Sequence, residues 1–289
     1  MHIDADSRGR SGRLYFIYRH MRYTFLAIQF LTILPLRLKG DVSESDIARC
    51  AAFFPLAGAL QGLILLATAF ALTLIFPADI ASGFVIALAI MVNGAFHLDG
   101  LADTFDALAV KSSGDQSIDR DKRLAVMKDS STGAIGVVAI VTVILLKFVL
   151  IKNLLSFPVP LTALLVLSFM PVFSKWIMVP AMYHGTSARN EGLGRLFIGP
   201  ASPNVLIISS SLAFVLFILI LVLHVWRYYG LHSLLLAGLF PAGYILALAG
   251  VASFTRRFGG LTGDTLGALS EIGELFYLTG SVICLQHFI

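Results

Sequence analysis

The sequence of 289 residues predicts an all-α fold, a polytopic helical bundle integral to a membrane. Three observations carry this. Apolar residues make up 57% of the chain and charged residues only 13%, with a mean hydropathy of +0.87, whereas soluble domains carry about 25% charge. Several uncharged runs reach the roughly 20 residues that cross a bilayer. Lys and Arg fall mostly on one side of those runs, as membrane topology requires.

The elements follow in order. Residues 1–22 are polar and Arg-rich and read as a disordered cytoplasmic tail. No short apolar core with a small-residue cleavage site opens the chain, so no cleavable signal peptide is expected. Residues 23–289 read as one transmembrane catalytic domain. The apolar stretch 24–36 is short and stops at Pro35, so it is expected to be interfacial or re-entrant. Seven spans are then expected, at 50–76, 80–98, 133–151, 158–183, 204–226, 231–252 and 267–289. Turn chemistry separates them: Pro77-Ala78-Asp79, the polar stretch 111–123, Phe157-Pro158, Gly199-Pro200 and Gly259-Gly260. With the N-terminus inside, seventeen of the 21 Lys and Arg face the cytoplasm. The loops around 99–131, 184–203 and 256–266 then share that face and are free to build one site.

Composition also excludes classes. Cys50 and Cys284 support neither a disulfide framework nor a thiolate metal site. No run of basic residues interleaved with aromatics points to nucleic acid.

The chemistry concentrates where the span 80–98 meets Asp99, Asp103 and Asp106. Their i, i+4, i+7 spacing puts all three on one face of a helix. Carboxylates so close repel one another unless a cation sits among them, and oxygen-only ligands favour Mg²⁺. The plainer alternative is a solvated acidic helix end. Lys128 and Asp129 precede Ser130-Ser131-Thr132-Gly133, which reads either as an ordinary N-cap or as a helix start that receives phosphate, with Lys128 adding charge. In the third loop Arg256, Gly260, Thr262, Gly263 and Asp264 combine backbone access with a carboxylate between hydroxyls. Glu271 and Glu274 lie one turn apart in an apolar span, where acids are costly and usually functional. Lys175 is placed to balance acids or touch phosphate, and Lys147 to snorkel towards the outer surface. His97 is either a buried hydrogen-bonded residue or a site residue. Among His184, Arg189 and Arg195, an arginine suits a nucleotide phosphate, though such residues often only set topology. Together these features suggest Mg²⁺-dependent phosphoryl chemistry at the cytoplasmic membrane face.

Several motifs occur in sequence order: Phe30-Leu31-Thr32-Ile33-Leu34-Pro35, Phe54-Pro55-Leu56-Ala57-Gly58, His97 to Asp106, Met127-Lys128-Asp129 with Gly133 and Gly136, and Gly259 to Ala268. From about residue 22 onward the chain closely resembles the cobalamin 5′-phosphate synthase, or adenosylcobinamide-GDP ribazoletransferase, family. The resemblance implies a Mg²⁺-using enzyme of the bacterial inner membrane. It would join adenosylcobinamide-GDP to α-ribazole or α-ribazole 5′-phosphate, release GMP, and give adenosylcobalamin or its phosphate. Association with other cobalamin-assembly enzymes is a further expectation. On this reading Asp99, Asp103 and Asp106 bind metal, while Asp129 and Asp264 are further ligands or the base, with Lys128 beside them. Arg195, Arg256, Gly260, Thr262, Gly263 and His97 are expected to bind substrate. A CDP-alcohol phosphotransferase is the nearest alternative, but it expects Ala-Arg where Asp103-Thr104 stands. A polyprenyl-diphosphate transferase wants two similar aspartate motifs. A cation or cobamide-precursor transporter should keep its acids at the bilayer midplane.

Overall fold

The computed structural model describes residues 19–36, 38, 40–158, 160–227 and 231–286. Residues 1–18, most of the expected tail, lie outside the described residues, whereas 19–22 already form the start of a helix. The helices are α1 (19–31), α2 (Glu44–Cys50), α3 (Phe54–Thr73), α4 (Ala78–Asn93), α5 (Phe96–Leu108), α6 (Gln116–Val126), α7 (Ala134–Leu155), α8 (Pro160–His184), α9 (Pro203–Arg227), α10 (Leu231–Phe258) and α11 (Gly263–Gln286). Short 3₁₀ turns occupy Ala51–Phe53 and Leu193–Leu196. Among the described residues there is no strand, only an isolated bridge between Ser187 and Leu261.

Six helical segments among the described residues are long and apolar enough to cross a membrane: α2 with α3, then α7, α8, α9, α10 and α11. The seventh expected span is not continuous. It is α4 followed by α5, bent by 87°. Gly94 (φ 62°) and Ala95 (φ 59°) are both left-handed, which a right-handed helix cannot accommodate. Gly94 adopts this at no steric cost, while Ala95 holds it under strain. The pair still traverses the bundle. Asp79 in the first turn of α4 pairs with Lys152 near the end of α7 at 3.8 Å. At the other end Asp106 of α5 meets the start of α7.

The first apolar stretch enters and returns on one face. Arg22 pairs with Asp46 at 3.4 Å and donates to the Asp41 carbonyl. Nine residues on, the Leu31 carbonyl accepts from the buried Gln61 amide of α3, and Ile33 N–H donates to Val92 O near the break in α4. The chain thus dips to the helix break and comes back before Asp41, a re-entrant path.

Helix α8 is the buried axis of the bundle, while α7, α9 and α10 expose much of their length to the surroundings. Packing on α8 is closest at Gly58 and Gly62 of α3. A Cβ on Gly58 would lie 2.5 Å from Pro171 O, and one on Gly62 would collide with Ser168 O. Small residues four apart let helix backbones meet where lipid removes the hydrophobic drive for association.

A polar column crosses this interior. Lys147 of α7 binds Glu271 at 2.6 Å and Glu274 at 2.5 Å on α11. Lys175 of α8 lies 3.5 Å from Glu274 and 3.1 Å from His97 Nδ1. The snorkelling expected of Lys147 therefore does not occur. Two carboxylates facing it inside the bundle hold it in, and pairing is what makes a buried charge tolerable there.

Candidate functional site

Local sequence positions each group. Helix α5 carries Asp99, Asp103 and Asp106 on successive turns. Gly100, between the first two, lets α5 touch the start of α11, where a Cβ would sit 2.7 Å from Asp264 O. Asp264 thus lies against the aspartate face although 160 residues separate them, and it is within Coulombic range of both Asp99 and Asp103. Thr262 caps α11: its hydroxyl accepts from Thr265 N–H at 3.2 Å, and its own N–H donates to Thr265 Oγ1 at 2.8 Å. The same hydroxyl donates to Asp264 Oδ2 at 3.3 Å. The free amides of this helix start favour negative charge in front of them.

The bridge between Ser187 and Leu261 then brings in an arginine. Ala188 N–H donates to Leu261 O at 2.8 Å, and Leu261 N–H to Thr186 O at 2.7 Å. Gly260 allows this approach, since a Cβ there would strike Thr186 O and sit 2.7 Å from Ala188 N. Its role here is loop packing. The outcome is Arg189 Nη1 at 3.2 Å from Asp264 Oδ2, with the arginine side chain 21% exposed. Nε and Nη2 of Arg189 are buried and make no hydrogen bond among the described residues.

Asp99, Thr262, Asp264 and Arg189 line a cavity of about 480 Å³ with Asn93, His97, Gly263 and Arg195, whereas Asp103 lies beside it, within Coulombic range of Asp99 and Asp264. The apolar lining of the cavity includes Phe30 of the first helix, Phe54, Phe96, Met178, Met182 and Phe197. Phe30 and Phe197 are 4.7 Å apart between ring centroids. A second, polar hollow shares Arg189, Glu191 and Gly192 and adds Asp121, Lys128 and Asn190. His97 Nδ1 lies 3.1 Å from Lys175 Nζ and 3.2 Å from Ser270 Oγ. Asn93 keeps a buried Oδ1 beside the helix break, unpaired among the described residues.

Not every expected residue joins this centre. Asp106 turns to the start of α7, where its carboxylate accepts from Gly133 N–H at 2.6 Å and Gly136 N–H at 2.8 Å. Asp129 folds back on Ser131, whose N–H and hydroxyl donate to it at 2.9 and 2.8 Å. That pairing holds its carboxyl below the ordinary value. Arg195 reaches the cavity rim but is half exposed and pairs with Glu44 at 3.5 Å. Arg256 is exposed, and its carbonyl receives Gln116 of α6 at 3.2 Å. Arg123 of α6 likewise donates to Arg257 O at 3.1 Å, so α6 clasps the end of α10. The α5–α6 loop is fixed by Asp119, which Ser112 and Ser113 hold down to about 2 through their hydroxyls and the Ser113 amide. Among the described residues no three His, Cys, Asp or Glu side chains converge tightly enough to enclose a metal ion.

Sequence reasoning passed over Arg189 in favour of Arg195. The available signal was the loop itself, in which three basic side chains compete, and only the bridge to Leu261 selects one.

The fold and site define a multi-pass membrane protein with an acid- and arginine-lined cavity where several helices end. The chain matches the family model described as cobalamin-5-phosphate synthase over residues 23–282. It belongs to that family and is an enzyme. An adenosylcobinamide-GDP ribazoletransferase of Thermodesulfovibrio yellowstonii is 38% identical over 253 residues, covering 88% of this chain and 93% of that one. One of Geotalea daltonii is 36% identical over 258 residues, covering 89% and 96%. No solved structure matches the chain.

Proposed function

We propose that the chain joins adenosylcobinamide-GDP to α-ribazole or its 5′-phosphate and releases GMP, with Mg²⁺ bound at the aspartate face. The observation that carries this is one cavity with a charged end, Asp99, Asp264 and Arg189, and an aromatic wall. Such a cavity suits a diphosphate and a nucleoside with an aromatic base together.

The donors fit a hard divalent ion. Asp99, Asp103 and Asp264 offer only oxygen, and among the described residues neither Asp99 nor Asp103 makes an ion pair. Mg²⁺ needs no protein cage, because it keeps waters and takes one or two carboxylates plus substrate phosphates. Asp99 and Asp103 would hold it, and it would neutralise the diphosphate and stabilise the charge on departing GMP.

The remaining steps belong to the chain. Arg189 and Lys128 bind the diphosphate oxygens from the shared hollow. Asp264 takes the proton from the attacking ribazole hydroxyl. The hydroxyl oxygen bonds to the phosphorus that carries the cobinamide, the bond from that phosphorus to the GMP oxygen breaks, and GMP leaves with the electron pair. Phe30, Phe96 and Phe197 receive the aromatic base. His97, fixed by Lys175 and Ser270, holds the start of α5 in register with α11. The bias of basic residues among the loops supports a site on the cytoplasmic face of a bacterial inner membrane.

The test is purified protein in detergent with adenosylcobinamide-GDP, α-ribazole and Mg²⁺, followed by chromatography of GMP. GMP formation that requires all three components supports the reading. Its absence with an intact, folded protein would sink it.

A further inference from the structure

We infer that Arg189 is a partner-exchanging residue: it covers Asp264 until a diphosphate arrives, then moves to the diphosphate and frees the carboxylate. The inference rests on the proposed reaction and assigns the order in which its groups become available.

Four observations support the exchange. Arg189 spends only Nη1 on Asp264, at 3.2 Å. Its Nε and Nη2 are buried without partners among the described residues, so the fork has donors left over in a place where unpaired donors are costly. The planar guanidinium presents such donors in the geometry that grips phosphate oxygens in pairs. Finally, Arg189 stands in the wall between the hollow with Lys128 and the cavity with Asp99 and Asp264. An anion entering beside Lys128, past Asp121 and Glu191, therefore meets Arg189 before it meets Asp99 and Asp264.

The loop permits a short movement. Arg189 follows Ala188, which is pinned to Leu261, while Gly192 (φ 96°) and an exposed Glu191 lie beyond it. The backbone stays anchored and the side chain swings. The ion pair with Asp264 is partly exposed and hence modest in strength, so a doubly charged phosphate group outcompetes it. While Arg189 covers Asp264, that carboxylate is engaged. Once Arg189 leaves, Asp264 is available to the ribazole hydroxyl. Diphosphate binding thus precedes assembly of the acceptor end of the site.

Inorganic pyrophosphate is the probe, titrated into the detergent-purified full chain in EDTA and again with Mg²⁺, with binding read by calorimetry. Arg189→Ala should weaken binding about tenfold, the value of one or two charge-assisted hydrogen bonds, and Arg189→Lys should recover only part of it. Asp264→Asn should tighten metal-free binding, because the competitor for Arg189 is gone. A purely structural ion pair predicts no more tightening than Asp99→Asn gives, since that variant removes a nearby negative charge without freeing Arg189. Metal-free binding by Asp264→Asn no tighter than that of Asp99→Asn, or wild-type binding by Arg189→Lys, would overturn the exchange. Melting of each variant without pyrophosphate establishes folding, and Arg189→Gln replaces the alanine variant if that one does not fold. The wild-type GMP-release assay runs alongside. Pyrophosphate behaviour as expected without GMP release would overturn the reaction and leave the exchange standing.

Discussion

One added methyl group, in Gly100→Ala, should separate catalysis from folding. A Cβ at Gly100 would fall 2.7 Å from Asp264 O and 2.9 Å from Asp264 Cα, about 0.7 Å short of the 3.4 Å at which ordinary contact begins. Both obstructing atoms are backbone, so no side chain can swing aside. Helices α5 and α11 must therefore move apart by about that amount, carrying Asp99 and Asp103 away from Asp264. Overpacking of this kind costs about 1–3 kcal/mol, which the bundle survives. A displacement near 1 Å in a site that must hold nucleophile, diphosphate and base costs about 100-fold, so kcat for GMP release should drop about 10- to 100-fold. The control is Gly83→Ala in α4, where a Cβ meets nothing within 4 Å and activity should not change. Wild-type kcat in folded Gly100→Ala would show that the contact of α5 with Asp264 does not set the geometry of the reaction.

Further outcomes follow from the same geometry. Asp103→Asn should keep the fold and lose most activity at limiting Mg²⁺, while Asp129→Asn, whose carboxylate is spent on Ser131, should lose much less; steady-state rates across a Mg²⁺ series compare them. Lys147→Met should lower stability by about 3–5 kcal/mol, because Glu271 and Glu274 lose their shared cation. Adding Glu271→Gln should restore part of it, as read from melting in detergent. A cysteine at Ser113 should be labelled by an impermeant maleimide only from the cytoplasm, and one at Phe157 only from outside, with low background since Cys50 and Cys284 are buried. Labelling of both from one side would break the proposed orientation.

The aspartate face was legible because its spacing is local: Asp99, Asp103 and Asp106 share an arc of any helix that contains them. The re-entrant first helix was legible too, since its length and Pro35 forbid a crossing. The break at Gly94-Ala95 was not, because apolar residues continue through it and hydropathy does not register two left-handed residues. Lys147 was misjudged from its depth alone. Its partners lie 124 and 127 residues away, and only tertiary packing reveals them. The rotation of Asp106 towards Gly133 has the same origin: the three-residue arc is a property of α5, but the neighbour each carboxylate meets is not.

The column of Lys147, Glu271 and Glu274 also bears on how the chain is made. An unpaired charge at the middle of a span costs about 2.5–3.5 kcal/mol on insertion scales. Helix α7 is synthesised more than a hundred residues before its counter-charges. Until α11 emerges, α7 holds an uncompensated ammonium, and α11 alone would carry two carboxylates. Helix α11 is therefore the element that completes this charge balance as well as the one that bears Asp264. A nascent chain cut short of residue 271 keeps the Lys147 ammonium of α7 without either carboxylate, so this pairing forms only after both helices have been inserted.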